Sequence, residues 1–204
     1  MQGRFQNEEA ISIAVWRESA LASPATPHSF SQAGFVFDPS QTNSSDDQAL
    51  VELVTVTSGD DLAFVKALFV EYAEAFDHLH CFAGFDQELD AMPEPYTAPD
   101  GALILARVDG RPAGCIAVKR LGKDDAEMKR LFVRPDFRGH SLGRLLTEAA
   151  ADAARNAGYK SLRLETLPGA MAVAISVYRT LGFEPCDPYG DNPVEIADHY
   201  ALKL

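Results

Sequence analysis

The chain has 204 residues, with 18 Lys plus Arg against 30 Asp plus Glu, a net charge of −12 and 47% hydrophobic residues. That is enough apolar material for a real core. A chain this acidic repels a polyphosphate backbone, which argues against a dedicated nucleic-acid binder and leaves room only for a local basic pocket.

No apolar run approaches the roughly 18 residues of a membrane span, so no membrane partner is expected. Residues 1–4 carry one basic residue, and the apolar run 11–16 is closed by Arg17 and Glu18, a poor targeting signal. Cys81, Cys115 and Cys186 have no CxxC spacing. They predict neither a disulfide framework nor a metal site, and a cytoplasmic setting.

Residues 1–48 differ from the rest. No Lys precedes Lys66, the apolar residues form islands at 11–16 and 35–37, and residues 39–47 read as a linker. The expectation is a polar extension, poorly ordered or serving as a docking strap on a second subunit, followed by one domain over 49–204. Residues 51–57 are β-branched and predict a strand. Ser58 or Asp60 can cap a helix whose inward face is Leu62, Val65, Leu68, Phe69, Tyr72 and Phe76. A short second helix follows over 85–92, closed by Pro93, Pro95 and Pro99.

Strands are predicted over 101–108 and 112–121, joined by the hairpin signal Asp109-Gly110. A turn at 122–125 leads to a strand over 126–133. A helix then runs from about 142 to 156, with Leu142, Leu145, Leu146, Ala149 and Ala153 inward and Gly158 as its stop. A strand at 161–166, a helix at 170–181 and closing strands from Phe183 complete the order β-α-α-β-β-β-α-β-α-β-β. This is an α/β (α+β) chain, a mixed sheet flanked by helices.

The stretch KRLFVRPDFRGHSLGR, residues 129–144, holds five of the eighteen Lys and Arg and one acid. This basic island stands where a strand ends, a turn follows and a helix begins. The first N–H groups of a helix have no internal partner, and the dipole is positive there. Gly139 and Gly143 leave room for a ligand to approach, and Arg138 and Arg144 add charge, so the segment reads as a pyrophosphate cradle. Neither GxxxxGK[ST] nor GxGxxG occurs here.

The run VRPDFRGHSLGRLL, residues 133–146, resembles motif A of the GNAT superfamily of N-acetyltransferases, Arg/Gln-x-x-Gly-x-Gly/Ala. Arg138 fills its first position and Gly143 its last, while Ser141 replaces the usual middle Gly. The run AISVYRTLGF, residues 174–183, resembles the end of motif B, with Met171 where many relatives carry Asn. The resemblance implies a mostly antiparallel GNAT-like sheet and acetyl-CoA as acyl donor, with no metal. His78, His80 and Cys81 are read as incidental rather than as ligands.

The same resemblance implies site roles. Arg138, Gly139, His140, Ser141, Leu142, Gly143 and Arg144 would hold the pyrophosphate. Leu131 would supply an oxyanion N–H, with Phe132 and Val133 pairing with the pantetheine arm. Tyr178 would protonate the leaving thiolate. Glu127 is the candidate base, opposed by a reading as a salt bridge to Lys129, Arg130 or another neighbour, and Glu165 is a further candidate. The acceptor would be a primary amine of a small molecule or peptide, lying near Phe76, His80, Cys81, Phe82 and the 189–193 loop. The net acidity favours a cationic amine. A non-catalytic acyl-CoA sensor or assembly module is the alternative, and a homodimer is compatible with either.

Overall fold

A computed structural model describes residues 49–76, 84–168, 171–190 and 197–204. The elements are β1 (Val51–Thr55), α1 (Gly59–Phe76), α2 (Phe85–Ala91), β2 (Ala102–Val108), β3 (Arg111–Arg120), β4 (Asp125–Val133), α3 (Leu142–Asn156), β5 (Ser161–Thr166), α4 (Ala172–Thr180), β6 (Glu184–Pro185) and β7 (Asp198–Lys203). The predicted order is found. His78, read as incidental, the acceptor-side candidates His80, Cys81, Phe82 and Pro193, and the extension 1–48 lie outside the described residues.

The strands form one sheet in the order β1-β2-β3-β4-β5-β7-β6. Every neighbouring pair is antiparallel except β4 and β5. Strand alternation sorts the core into two layers. Ile104, Ile116, Val118, Met128, Leu162 and Leu164 pack with α3 and α4 on one face. Leu103, Leu105, Cys115 and Ala117 pack with Val65, Leu68 and Phe69 of α1 on the other.

Local chemistry accounts for the boundaries. Asp109 and Gly110 both have positive φ, 50° and 73°, as a two-residue turn between right-twisted strands needs. Gly158, at φ 86°, follows the end of α3. The buried stripe of α3 is Leu142, Leu146, Ala150 and Ala154, flanked by Thr147 and Ala151. Ala149 and Ala153, expected inward, are only partly buried. In a run this rich in alanine, size contrast cannot locate the face, and contact with the sheet decides it.

Two departures in β4 shape everything around it. Parallel pairing with β5 covers only Asp125–Ser161, Ala126–Leu162 and Glu127–Arg163, and then stops. β5 itself stays paired with β7 through Thr166 and Asp198. Opposite β3 the register shifts between Cys115 and Ala117, whose partners are Phe132 and Lys129. The extra residue lies within that step, where Arg130 has φ 56°. This is a β-bulge at a non-glycine residue. Before it, even-numbered Ala126 and Met128 face α3; after it, Phe132 joins the α1 layer.

β3 lies tightly against the far end of β4. A Cβ built on Gly114 would stand 2.5 Å from the Phe132 carbonyl oxygen. Gly114→Ala should therefore destabilise the fold by about 2 kcal/mol, an overpacking cost, visible as a lower denaturation midpoint with unchanged m-value.

Candidate active site

The bulge is held from outside its own strand. The Arg130 guanidinium makes two bonds to Glu88 of α2, Nε to Oε1 at 3.1 Å and a terminal nitrogen to Oε2 at 2.5 Å. It also lies over the rings of Tyr72 (5.8 Å) and Phe85 (5.3 Å). The Tyr96 hydroxyl donates to Oε1 of the same carboxylate at 2.5 Å. Burial by itself would raise the Glu88 carboxyl, but the hydrogen bonds and charge of Arg130 outweigh it and hold the group below its ordinary 4.5. Burial raises the Tyr96 phenol, and the neighbouring Glu88 charge adds to the rise.

The bulge also sets main-chain directions. Arg134 N–H donates to the Ala113 carbonyl. Directions alternate along a strand, so Phe132 also turns its main chain to β3. Leu131 and Val133 then turn theirs to the open side of β4, where β5 has diverged. The predicted trio is thus divided: two residues present peptide groups to the gap, and Phe132 presents a ring to Tyr72 at 6.1 Å.

On the α3 side of the sheet, the turn before α3 contains a 3₁₀ segment at Pro135–Phe137. Gly139 has φ 91° and Ser141 φ 54°. Ser141 is the N-cap yet makes no side-chain capping bond. The first-turn N–H groups of α3 are left without a side-chain cap. A Cβ on Gly139 or Gly143 would meet nothing within 4 Å. His140 is exposed, its Nδ1 3.2 Å from the Phe137 carbonyl.

The basic island of the sequence is not an island in space. Lys129 pairs with Glu127, Arg130 with Glu88, Arg134 with Glu71 and Arg144 with Glu148. Arg138 alone among these five cations has no acidic partner among the described residues, and it is exposed beside the α3 N-terminus. The neutralising acids lie on other elements, earlier in β4 or later in α3, so counting charges along residues 129–144 could not reveal them.

Tyr178 of α4 is 5% exposed, with its ring 5.8 Å from that of Phe183. Its hydroxyl has no hydrogen-bond partner among the described residues. Burial, with a smaller contribution from the Tyr72 phenol, raises its pKa well above the usual 10. The group is therefore a protonated donor at any working pH.

The opposite face carries a cleft of about 370 Å³ between α2, β3, β4 and β5. Its lining includes Glu88, Lys119, Glu127, Lys129, Arg130 and Glu165. Glu127 is 5% exposed and stands opposite Lys119 in the β3–β4 register. Lys119 Nζ lies 3.2 Å from one of its oxygens and Lys129 Nζ 3.6 Å from the other. The Tyr189 hydroxyl donates to it at 3.4 Å. The ion-pair reading of Glu127 is therefore realised with Lys129, while Arg130 is committed to Glu88. Glu165 accepts a bond from His199 Nε2 at 3.2 Å. Cys115 is fully buried and burial raises its thiol, so it is packing. Among the described residues no three His, Cys, Asp or Glu side chains gather as metal ligands, and no helix is long and apolar enough to cross a membrane.

An uncapped helix mouth, a bulged strand and a one-sided parting of parallel strands are now in place, and the sequence decides whose they are. The family model described as "Acetyltransferase (GNAT) family" matches residues 65–183. The chain belongs to the GNAT acetyltransferase family. An uncharacterised N-acetyltransferase of Schizosaccharomyces pombe is 35% identical over 156 residues, covering 76% of this chain and 95% of its own length. An acetyltransferase from Streptococcus agalactiae shares the fold at a TM-score of 0.64 and 22% identity, over 76% of this chain and 98% of its own. An acetyltransferase from Salmonella typhimurium, solved with its cofactor acetyl-CoA, does so at 0.56 and 18%, over 74% and 94%.

Sequence reasoning missed Glu88, Tyr96 and Lys119 in this GNAT domain. Arg130 stands out in the basic stretch, but its partner Glu88 is 42 residues away with no periodic signal to tie them.

The stability supplied by a depressed carboxyl is present above its unfolded pKa and is lost as pH falls through the folded value. Wild type should therefore lose stability below about pH 4.5 more steeply than Glu88→Gln, which at pH 7 should itself be less stable by about 2 kcal/mol, less than for a fully buried pair. Ser141→Gly relieves a left-handed residue that caps nothing. It should raise stability by about 0.5 kcal/mol, the ~1 kcal/mol relief being reduced by the freer unfolded chain, as read by chemical denaturation.

Proposed function

We propose that this protein is an acyl-CoA-dependent N-acyltransferase, with acetyl-CoA as the donor, acting on a primary amine by direct attack within a ternary complex. The observation that carries the reading is the parting of β4 from β5 beyond Glu127, beside main-chain groups that have lost a strand partner. Unpaired strand groups favour an extended, amide-containing arm, which can pair with them as an added strand. Pantetheine is such an arm. Leu131 and Val133 would pair with it, and Phe132 would wall it.

The diphosphate would lie on the first-turn N–H groups of α3 beside Arg138, with Gly139, His140, Ser141, Leu142, Gly143 and Arg144 forming the turn. Gly143 supports this. Its backbone is ordinary helix, where Gly costs about 1 kcal/mol against Ala, and a Cβ there would enter empty space. Room for a ligand is the reason such a residue is useful.

Acetyl-CoA supplies the activated acyl group. In the transfer, the amine nitrogen bonds to the thioester carbonyl carbon and the carbon–sulfur bond breaks. An ammonium gives up two protons. One ends on the thiolate, donated through Tyr178, and the other leaves to solvent through Glu127 or Glu165. The Leu131 N–H would stabilise the oxyanion, a contribution of roughly 3 kcal/mol for a fixed donor.

We assign this chemistry to residues 49–204 and read 1–48 as an extension outside it, in a cytoplasmic protein. The residues assigned here all come from one chain, and the reading is compatible with a monomer or a homodimer. A non-catalytic acyl-CoA sensor is less well supported, because the Tyr178 hydroxyl, buried without a hydrogen-bond partner among the described residues, would then have no task.

Calorimetry should show acetyl-CoA binding, and a panel of amines should release CoA thiol. Arg138→Ala should raise the KM for acetyl-CoA about tenfold, the value of one charge-assisted contact. Tyr178→Phe should lower kcat about a hundredfold with little change in KM. No CoA binding ends the reading. CoA binding with turnover indifferent to Tyr178→Phe favours the sensor.

A further inference from the structure

The acceptor cleft carries a charge pattern that the net acidity of the chain does not announce. At about 370 Å³ it is the size of a small-molecule site rather than a groove for a folded partner. Glu88 and Arg130 satisfy each other through two bonds, so neither is available to a ligand charge. Two lysines, Lys119 and Lys129, share the single carboxylate of Glu127. Each ammonium has three donors, and Glu127 is the only carboxylate in ion-pair contact with either among the described residues, with the charge of Glu88 reaching Lys129 from farther off. That corner of the cleft has a surplus positive charge with free donors.

Across the gap the sign reverses. Glu165 has the His199 ring as its partner and no Lys or Arg among the described residues. The register that pairs Glu127 with Arg163 carries Lys129 to the level of Glu165, on the same face of the sheet. The two strands have parted there, so the separation exceeds the ~4.8 Å of paired strands. A cationic corner and an anionic wall therefore face each other beside the point where Leu131 would hold the thioester.

We propose that the acceptor is an amine that also bears a carboxylate, an amino-acid-like zwitterion. Its carboxylate would bind Lys119 and Lys129, and its ammonium would face Glu165. A polyamine would bring cations to the lysines and leave their surplus charge unmatched, which the low dielectric of a half-buried cleft penalises. The net charge of the chain, which favours a cationic amine, does not govern this corner. The inference rests on the N-acyltransferase reading above and refines its acceptor.

The test compares the common α-amino acids with their C-terminal amides and with putrescine. Binding to the CoA-saturated protein is read by calorimetry, and thiol release from acetyl-CoA by spectrophotometry. At least one amino acid should bind, and should be acetylated with a kcat/KM at least tenfold above that of its amide. In the Lys119→Gln, Lys129→Gln double variant that ratio should fall towards one, while acetyl-CoA affinity stays within twofold. If the variant fails to fold, the acid-against-amide ratio of the wild type decides alone. Amides or putrescine matching the acids would overturn the proposal, as would no amino acid binding to the CoA-saturated protein. In either case acetyl-CoA binding leaves the acyltransferase reading standing, whereas its absence would remove that reading instead.

Discussion

Parallel pairing between β4 and β5 ends at Glu127 and Arg163, and the β3 edge of β4 is kinked three residues later, at Arg130. A strand in the middle of a sheet ordinarily has both edges paired, because buried peptide groups without partners are costly. Here one edge is left open over the far half of the strand. The structure tolerates this because β5 remains paired on its other side with β7, and because β4 remains paired with β3 on either side of the bulge. The gap is thus framed by strands that are themselves paired on their other edges.

The bulge needs support of its own. A left-handed backbone at a non-glycine residue costs about 1–2 kcal/mol. Arg130 offsets this by its contacts: a two-bond ion pair with Glu88 and the faces of Tyr72 and Phe85. These partners come from α1 and α2, so the helices that wall the cleft also hold the bulged strand. A disturbance of α2 would reach the Leu131 N–H through Arg130. The same pair explains why charge density along the sequence misleads, since the arginine most deeply set in the basic stretch is neutralised by an acid from another element.

On the proposed reading the sheet divides the chemistry between its faces. Leu142 at the start of α3 and the Tyr178 ring share the core layer on one side. Glu127, Glu165 and the lysines line the cleft on the other. The gap between β4 and β5 lies between them, so on the reading proposed above donor and acceptor would approach from opposite faces and meet at the bulged strand. Each would then keep its own specificity: main-chain groups and an exposed arginine for the donor, side-chain charges for the acceptor. Side chains vary easily while the backbone is kept, which is how one family frame serves different acceptors.

Much of the fold was legible from residues alone. The Asp109-Gly110 hairpin, the Gly158 stop and the order of strands and helices are written in local signals, each set by backbone conformations that few residues adopt. The glycine-bearing turn ahead of α3 was legible too, as was the helix that follows it, while the roles proposed for that turn and for Tyr178 come from the motif resemblance. The inward face of α3 was not, because alanines at 149, 150, 153 and 154 differ in burial and not in chemistry. Nor were the Arg130–Glu88 lock, the pairing of Glu127 with Lys119, or the opposition of Lys129 and Glu165. Those depend on strand register and on helices packed across it, and a sequence states which groups a chain possesses while only folding settles which of them come within reach of one another.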